Sequence, residues 1–226
     1  MSVHAHNEAE RVAELLELLD KGAIVALVSD AGTPTISDPG ELLISAAIEA
    51  GHKVTTVPGA SAGLSALVVA GLGTARFRFE GFLPRRGPQR AGRLDEIAEA
   101  RHPSVIYEAP KRVCATLQDL ARACGPDRRV AVCRELTKRF EETWRGTLAE
   151  AHEHTVAVPP RGEHVLVVAA APAQKRDLPP AEEVRRAVEA KMSAGSSRRQ
   201  AANEVAGELG VPKRFVYETS LTHGDR

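Results

Sequence analysis

The feature that most constrains this chain is a pair of small-residue loops, each set between an apolar run and a helix-like segment. The first run, Ala23-Ile24-Val25-Ala26-Leu27-Val28, reads as a buried strand. It leads into Ser29-Asp30-Ala31-Gly32-Thr33-Pro34 and Ser37-Asp38-Pro39-Gly40, then into a helix over 41–50 that stops at Gly51. Residues 52–57 read as a second strand, followed by Pro58-Gly59-Ala60-Ser61-Ala62-Gly63 and an apolar helix through Val69. Strand–helix–strand–helix with short connections predicts a parallel sheet with right-handed crossovers. Both loops then lie at the carboxyl edge of that sheet, where open α/β sheets bind ligands. The first loop alone reads equally well as a plain βα connection; the pair favours a cleft. Neither loop carries G-x-G-x-x-G or G-x-x-x-x-G-K-[ST], which disfavours a dinucleotide or triphosphate site. Asp30 places a carboxylate where a pyrophosphate would need donors, so a ligand with an amine or hydroxyls fits better. Asp38 is placed to cap the 41–50 helix, with Pro39 at its first position.

At 226 residues the chain accommodates one large or two small domains with an appendage. A hydrophobic share of 43% supports a real core, and with only 4% aromatics that core must rest on Ala, Val and Leu. No apolar run reaches membrane-spanning length, and the start lacks the basic-then-apolar pattern of a secretion signal. Cys114, Cys124 and Cys133 lack CxxC spacing and read as reduced thiols of a cytoplasmic protein, with neither a disulfide framework nor a metal site. The zero net charge conceals an asymmetry. Residues 1–75 hold three Lys/Arg against nine Asp/Glu, 76–172 hold 17 against 13, and 173–226 hold ten against eight. The basic excess peaks at 76–93, where Arg76, Arg78, Arg85, Arg86, Arg90 and Arg93 face only Glu80. Such a stretch suits a polyanionic partner, or is simply solvated surface.

Around the two loops, residues 8–20 have amphipathic helical spacing, with Val12, Leu15, Leu16 and Leu19 on one stripe. Beyond them, 75–82 alternates as a strand and Leu83-Pro84-Arg85-Arg86-Gly87-Pro88 is a basic turn. A helix over 89–101, a strand over 104–107 and a helix over 111–123 follow. Three further strands are expected over 129–134, 142–148 and 164–170. More strands than helices here predict a mixed or largely antiparallel second domain. The composition of 171–180 is that of a linker. Helices over 181–193, 197–209 and 212–220, with Ser197 capping the second, form a trihelical unit that reads either as helix-turn-helix or as a small docking bundle. The expected division is therefore 1–74, 75–172 and 173–226.

VSDAGTPTISDPG, VPGASA, GFLPRRG, YEAPKR, CRELTKRFEE, RGTL and RGEHVLVV occur in that order from His6 to Leu221, over nearly the whole chain. With this ordered set the chain resembles the tetrapyrrole-methylase superfamily. Within it, GFLPRRG and CRELTKRFEE point to the branch that methylates the ribose 2′-hydroxyl of a cytidine in small-subunit ribosomal RNA. The resemblance implies an α/β fold of two domains, S-adenosylmethionine as cofactor in the cleft between them, and usually a homodimer. Residue by residue, it implies that Asp30, Gly32 and Thr33 hold the cofactor's methionine and ribose portion. Ser61 and Ala62 would contact it through small side chains and backbone. Tyr107 would lie near the adenine or the methyl donor, and Gly162 and Glu163 belong to a closing turn near the adenine. Glu108, Lys111, Glu135 and Lys138 are candidates for a base or cation beside the reacting hydroxyl, each reading equally as a salt-bridge partner. Arg85, Arg86, Arg90 and Arg93 are the first candidates for RNA contacts.

The family pattern opens with a strand and a PTPIGNL-type loop, then a helix, a strand and an AEDTR-type stretch. None of these motifs occurs here, and MSVHAHNEAE corresponds to the segment that follows them. The expectation is a first sheet lacking a central strand, with unpaired backbone groups and exposed apolar surface. Two rival functions follow: a catalytically incompetent RNA-binding remnant of the family, and a porphyrin-type small-molecule methylase. The basic loop and the C-terminal helices argue against the second.

Overall fold

Residues 1–4, 7–30, 32–172 and 178–221 are described by the computed structural model of the chain. In chain order the elements are α1 (Glu8–Asp20), α2 (Glu41–Glu49), α3 (Ala62–Ala70), β1 (Arg78–Phe82), α4 (Pro88–Glu99), β2 (Ser104–Glu108), α5 (Pro110–Cys124), β3 (Arg129–Arg134), β4 (Glu142–Thr147), α6 (Leu148–Ala157), β5 (His164–Val168), α7 (Ala181–Ser193), α8 (Arg198–Glu208) and α9 (Lys213–Leu221). They divide into two compact units, Met1–Pro172 and Ala173–Arg226.

In the first unit five strands form one sheet in the order β1-β2-β5-β3-β4. The β1–β2 pair is parallel, and β2–β5, β5–β3 and β3–β4 are antiparallel. Period-two alternation sorts the side chains. Ile106, Val130, Val132, Leu166 and Val168 face a core shared with Ile97 of α4, Leu117 and Leu120 of α5 and Leu148 of α6. Val105, Ala131, Cys133, Val165 and Val167 face the opposite way, against Ala66, Leu67 and Ala70 of α3. Because both faces are covered, all five residues of β5 are buried and its sequence HVLVV is nearly continuous in apolarity. Ala131 and Cys133 are small, which lets α3 lie close on that face.

The first-sheet expectation is corrected. Residues 23–28 and 52–57 form no strand, and among the described residues no ladder pairs with them. Ile24 is fully exposed, and Val28 and Val57 remain 81% and 89% exposed. A strand is a property of a pair, and among the described residues these apolar runs have no ladder partner. The Asp38 cap is corrected as well. The N-cap of α2 is Gly40, at φ 128°, without a side-chain cap of its own. Glu8 of α1 supplies the acceptor instead: its Oε1 receives the amides of Gly40 (2.9 Å) and Leu42 (2.7 Å). Helix α6 was not expected, although Thr147 and Glu150 form a full capping box at its start.

The second unit is a three-helix cluster. Val184 and Val188 of α7, Ala201, Ala202 and Val205 of α8, and Val216 of α9 are its buried centre. Ser197 caps α8 in a capping box, its Oγ accepting from the Gln200 amide while Gln200 Oε1 accepts from the Ser197 amide.

Candidate active site

The carboxyl ends of β1, β2 and β3 and the start of β5 lie at one end of the sheet. Phe82 pairs with Tyr107, Tyr107 with Val165, and Arg134 with His164. The second small-residue loop reaches this end through α3. Ser61, in extended conformation, caps α3 by accepting from the Leu64 amide. The next amide, of Gly63, donates to the Tyr107 hydroxyl at 3.0 Å. A Cβ at Gly63 would stand 3.2 Å from that oxygen, a tight contact that Tyr107 would have to relieve by shifting.

The first loop closes on the same place. Gly32, at φ +76°, lies against the Ala60 carbonyl of the second loop, and Ser37 lies against Gly81 of β1. Thr35 (φ 73°) and Ser37 (φ 63°) hold left-handed backbone without being glycine. Two such residues so close together are uncommon, and stored strain of this kind clusters at ligand sites. Asp30 is exposed, Thr33 half-buried, and Ala62 exposed at the start of α3. The Gly32–Ala60 and Gly63–Tyr107 approaches thus bring the backbones of the two loops together at the Tyr107 end of the sheet.

Glu135, Lys138, Gly162 and Glu163 form a second cluster beyond the ends of β3 and β5. Glu135 Oε1 accepts from the Glu163 amide at 2.8 Å, and Lys138 reaches Glu163 at 2.7 Å and Glu135 at 3.3 Å. The Glu135 side chain covers Gly162, where a Cβ would stand 2.6 Å from it. The Glu163 amide, helped by Lys138, holds the Glu135 carboxyl below its ordinary range. Its contact with Glu163 raises the Lys138 ammonium. Burial lowers the neighbouring His164 imidazole, whose Nδ1 meets the Gly162 carbonyl at 3.0 Å.

Glu108 is placed differently from the exposed ionisable groups. Its buried carboxylate accepts from Thr116 Oγ1 (2.7 Å) and the Ala109 amide (2.9 Å) and pairs with Arg112 Nε (3.2 Å). Arg112 in turn donates to the Leu83 carbonyl at 2.7 Å. Arg90, only 9% exposed, bonds Asp119 through two nitrogens, Thr116 Oγ1 and the Pro84 carbonyl. Both guanidinium groups therefore anchor the Leu83-Pro84 turn from which Arg85 and Arg86 project, exposed. Arg93 pairs with the buried Glu80. Of the four arginines expected to meet RNA, Arg85 and Arg86 face solvent while Arg90 and Arg93 are engaged within the fold. Lys111 is exposed at the start of α5.

Sequence reasoning missed Glu8, Phe79 and Phe82. Glu8 gives no local signal, since its partners lie 32 and 34 residues away. Phe82 sits in GFLP and Phe79 two residues before it, and only the strand pairing shows that they share a face.

The fit to S-adenosylmethionine rests on these groups. An exposed carboxylate at Asp30 suits the ammonium of its methionine portion. Gly32 and Ala62 leave the backbone of both loops open to close approach.

A family model described as Tetrapyrrole (Corrin/Porphyrin) Methylases matches residues 2–152. The chain is 43% identical over 221 residues to the ribosomal RNA small subunit methyltransferase I of Synechocystis, covering 98% of this chain and 79% of that protein. It is 44% identical over 216 residues to the protein of the same name from Mycobacterium tuberculosis, covering 95% and 74%. Among solved structures, the methyltransferase CobJ superposes with a TM-score of 0.56 at 24% identity, over 73% of this chain and 72% of that one. A conserved protein from Aeropyrum pernix, APE0931, superposes with a TM-score of 0.51 at 19% identity, over 95% and 74%. Both structural likenesses speak to the fold. With a family model spanning 2–152 and relatives above 40% identity over nearly its whole length, the chain belongs to the tetrapyrrole methylase family, in the group of the ribosomal RNA small subunit methyltransferases I.

Proposed function

We propose that the chain transfers a methyl group from S-adenosylmethionine to the ribose 2′-hydroxyl of a cytidine in small-subunit ribosomal RNA. The observation that carries this reading is the meeting of the second small-residue loop with Tyr107, and of the first loop with the second and with β1, in a chain 43% identical to a ribosomal RNA small subunit methyltransferase I. The cofactor, when bound, supplies a methyl group already activated on a sulfonium. What remains for the protein is to align the attacking oxygen and keep water out. In this reading Asp30 pairs with the cofactor's ammonium and Thr33 offers a hydroxyl. Ser61 and Ala62 present the second loop, and the Gly162–Glu163 turn closes the far side.

A ribose hydroxyl gains from a cation where alkoxide charge develops. Lys138, kept protonated by Glu163 and Glu135, suits that task better than proton abstraction. Glu135, held below its ordinary range, is a weak base. Glu108 serves the reaction indirectly, by holding the loop that carries Arg85 and Arg86. The RNA partner is the small-subunit RNA or the 30S subunit, met through those two arginines. A homodimer in the cytoplasm completes the proposal; no helix among the described residues is long and apolar enough to cross a membrane.

The test is methyl transfer from labelled S-adenosylmethionine to 30S subunits lacking the modification, alongside calorimetry of cofactor binding. The unsubstituted chain binds cofactor and labels 30S subunits, and Asp30→Ala weakens cofactor binding about tenfold or more, the scale of a desolvated charge-assisted hydrogen bond. Absence of both binding and labelling in the unsubstituted chain would refute the assignment.

A further inference from the structure

The register of β1 carries an irregularity with a chemical consequence. Phe79 pairs with Val105 but Gly81 pairs with Ile106, so Glu80 is an extra residue in a β-bulge. Without it, Phe79 and Phe82 would point to opposite faces, being three residues apart. With it, they pair with Val105 and Tyr107, which lie on the same face. Gly81 makes this possible: its φ is +60°, and Ser37 Oγ stands 3.1 Å from where a Cβ would be. Glu80 is turned to the other face, where Arg78 and Arg93 pair with it.

The two rings thereby meet Tyr107 edge-on, at centroid distances of 5.1 Å for Phe79 and 5.8 Å for Phe82. Tyr107 is fixed in turn by its bond to the Gly63 amide. Helix α3 packs on β2, β3, β4 and β5 and reaches the Phe79 ring through Gly63, while β1 lies at the edge of the sheet and leaves the Phe82 ring half open. Phe79 and Phe82 stay 41% and 53% exposed beside an open cavity of about 460 Å³. Ser37, Phe79, Gly81, Phe82 and the paired Glu80 and Arg93 line it.

We propose that Phe79 and Phe82 form the stacking platform for the nucleobase whose ribose is methylated, with Ser37 at its polar edge. This rests on the proposed RNA ribose methylation and adds the part of the substrate that the reading leaves unplaced. A nucleobase taken out of a helix needs a π-face to replace its lost stacking, and exposed aromatic rings supply one. The platform lies one strand from Tyr107, which the second loop meets through Gly63, and the first loop meets β1 itself through Ser37. A base held on β1 therefore leaves its sugar beside the cofactor loops. Ser37, on the first loop, gives the base edge a hydroxyl that can donate or accept.

Phe82→Leu keeps apolar bulk and removes the π-face; Phe82→Trp keeps both. Assayed on unmethylated 30S subunits, Phe82→Leu raises KM for the subunit by about 5- to 150-fold, the loss expected for one base–aromatic stack. Phe82→Trp restores it, and the Kd for S-adenosylmethionine is unchanged in both. The added tryptophan is quenched by oligocytidylate, read against the single native Trp144. An unchanged KM in Phe82→Leu together with no quenching overturns the platform. So does a matching loss of cofactor affinity, which would assign the rings to the cofactor, or a change of oligomeric state on sedimentation, which would make this face a protomer interface. Quenching does not depend on turnover, and labelling of 30S subunits by the unsubstituted chain tests the methylation reading separately, so the two failures are distinguishable.

Discussion

At the scale of single residues, the ionisable groups divide by what they touch. Glu108 has two oxygens and three partners, all within the fold. A general base contributes roughly 10²- to 10⁴-fold to rate. Glu108→Gln keeps an acceptor for the Ala109 amide and Arg112, and its amide can donate to Thr116 Oγ1. It should retain kcat on 30S subunits within about tenfold, below the loss that removal of a base produces; a loss of a thousandfold would return Glu108 to catalysis. His164 makes a second residue-scale prediction. Burial lowers its imidazole pKa below 6.5, Arg134 adds to that, and the Gly162 carbonyl, Glu135 and Glu142 oppose it. The unfolded chain therefore binds a proton that the folded chain refuses, and stability falls as pH drops below about 6.5. The thermal midpoint should decline over that range, and His164→Asn, which retains a donor for the Gly162 carbonyl, should flatten the decline.

At the scale of elements, the sheet and the two loop-bearing segments differ in what secures their backbones. Strands β2 and β5 have hydrogen-bonded neighbours on both sides and buried side chains on both faces. Residues 23–28 and 53–57 have neither. In hydrogen exchange the amides of Ile106 and Leu166 should be the slowest, and those of Ile24, Val28 and Val57 should exchange orders of magnitude faster. Cofactor binding should slow the loops that flank those segments. The same contrast explains which elements were legible. Helices α1, α5 and α7 carry their apolar stripes within their own residues, and α8 carries its Ser197–Gln200 capping box. The strands expected at 23–28 and 52–57 have equally apolar sequences, yet a run of Val and Ile becomes a strand only beside another. Glu8 capping α2, and the bulge that turns Phe79 and Phe82 to one face, join residues through the fold and leave no local trace.

At the scale of the whole molecule, the charge asymmetry meets the RNA partner through few residues. Six arginines occupy 76–93, but the described structure engages Arg78, Arg90 and Arg93 in ion pairs with Glu80, Glu96 and Asp119. Arg76, Arg85 and Arg86 remain exposed, and of these Arg85 and Arg86 stand together on the anchored turn. Binding to 30S subunits should weaken steeply with salt. Replacing both by Ala should reduce the slope of log K against log salt by about 1 for each phosphate that is no longer neutralised. An unaltered slope would move the RNA-binding surface elsewhere, the helical unit of α7, α8 and α9 being the next place to look.

The sequence alone determined the family and the cofactor class, because motif chemistry is written in the residues themselves. It also determined most helices, because capping and 3.6-residue periodicity act over a few positions. Only the tertiary structure decided which of those residues are available. It tied Glu108, Arg90 and Arg93 into the scaffold, brought the second loop onto Tyr107 with the first against it, and left 23–28 without a ladder among the described residues. It also set two phenylalanines side by side at the sheet edge. The physical reason is common to all of these: hydrogen-bond partners and burial are supplied by residues distant in the chain, and only folding brings them near.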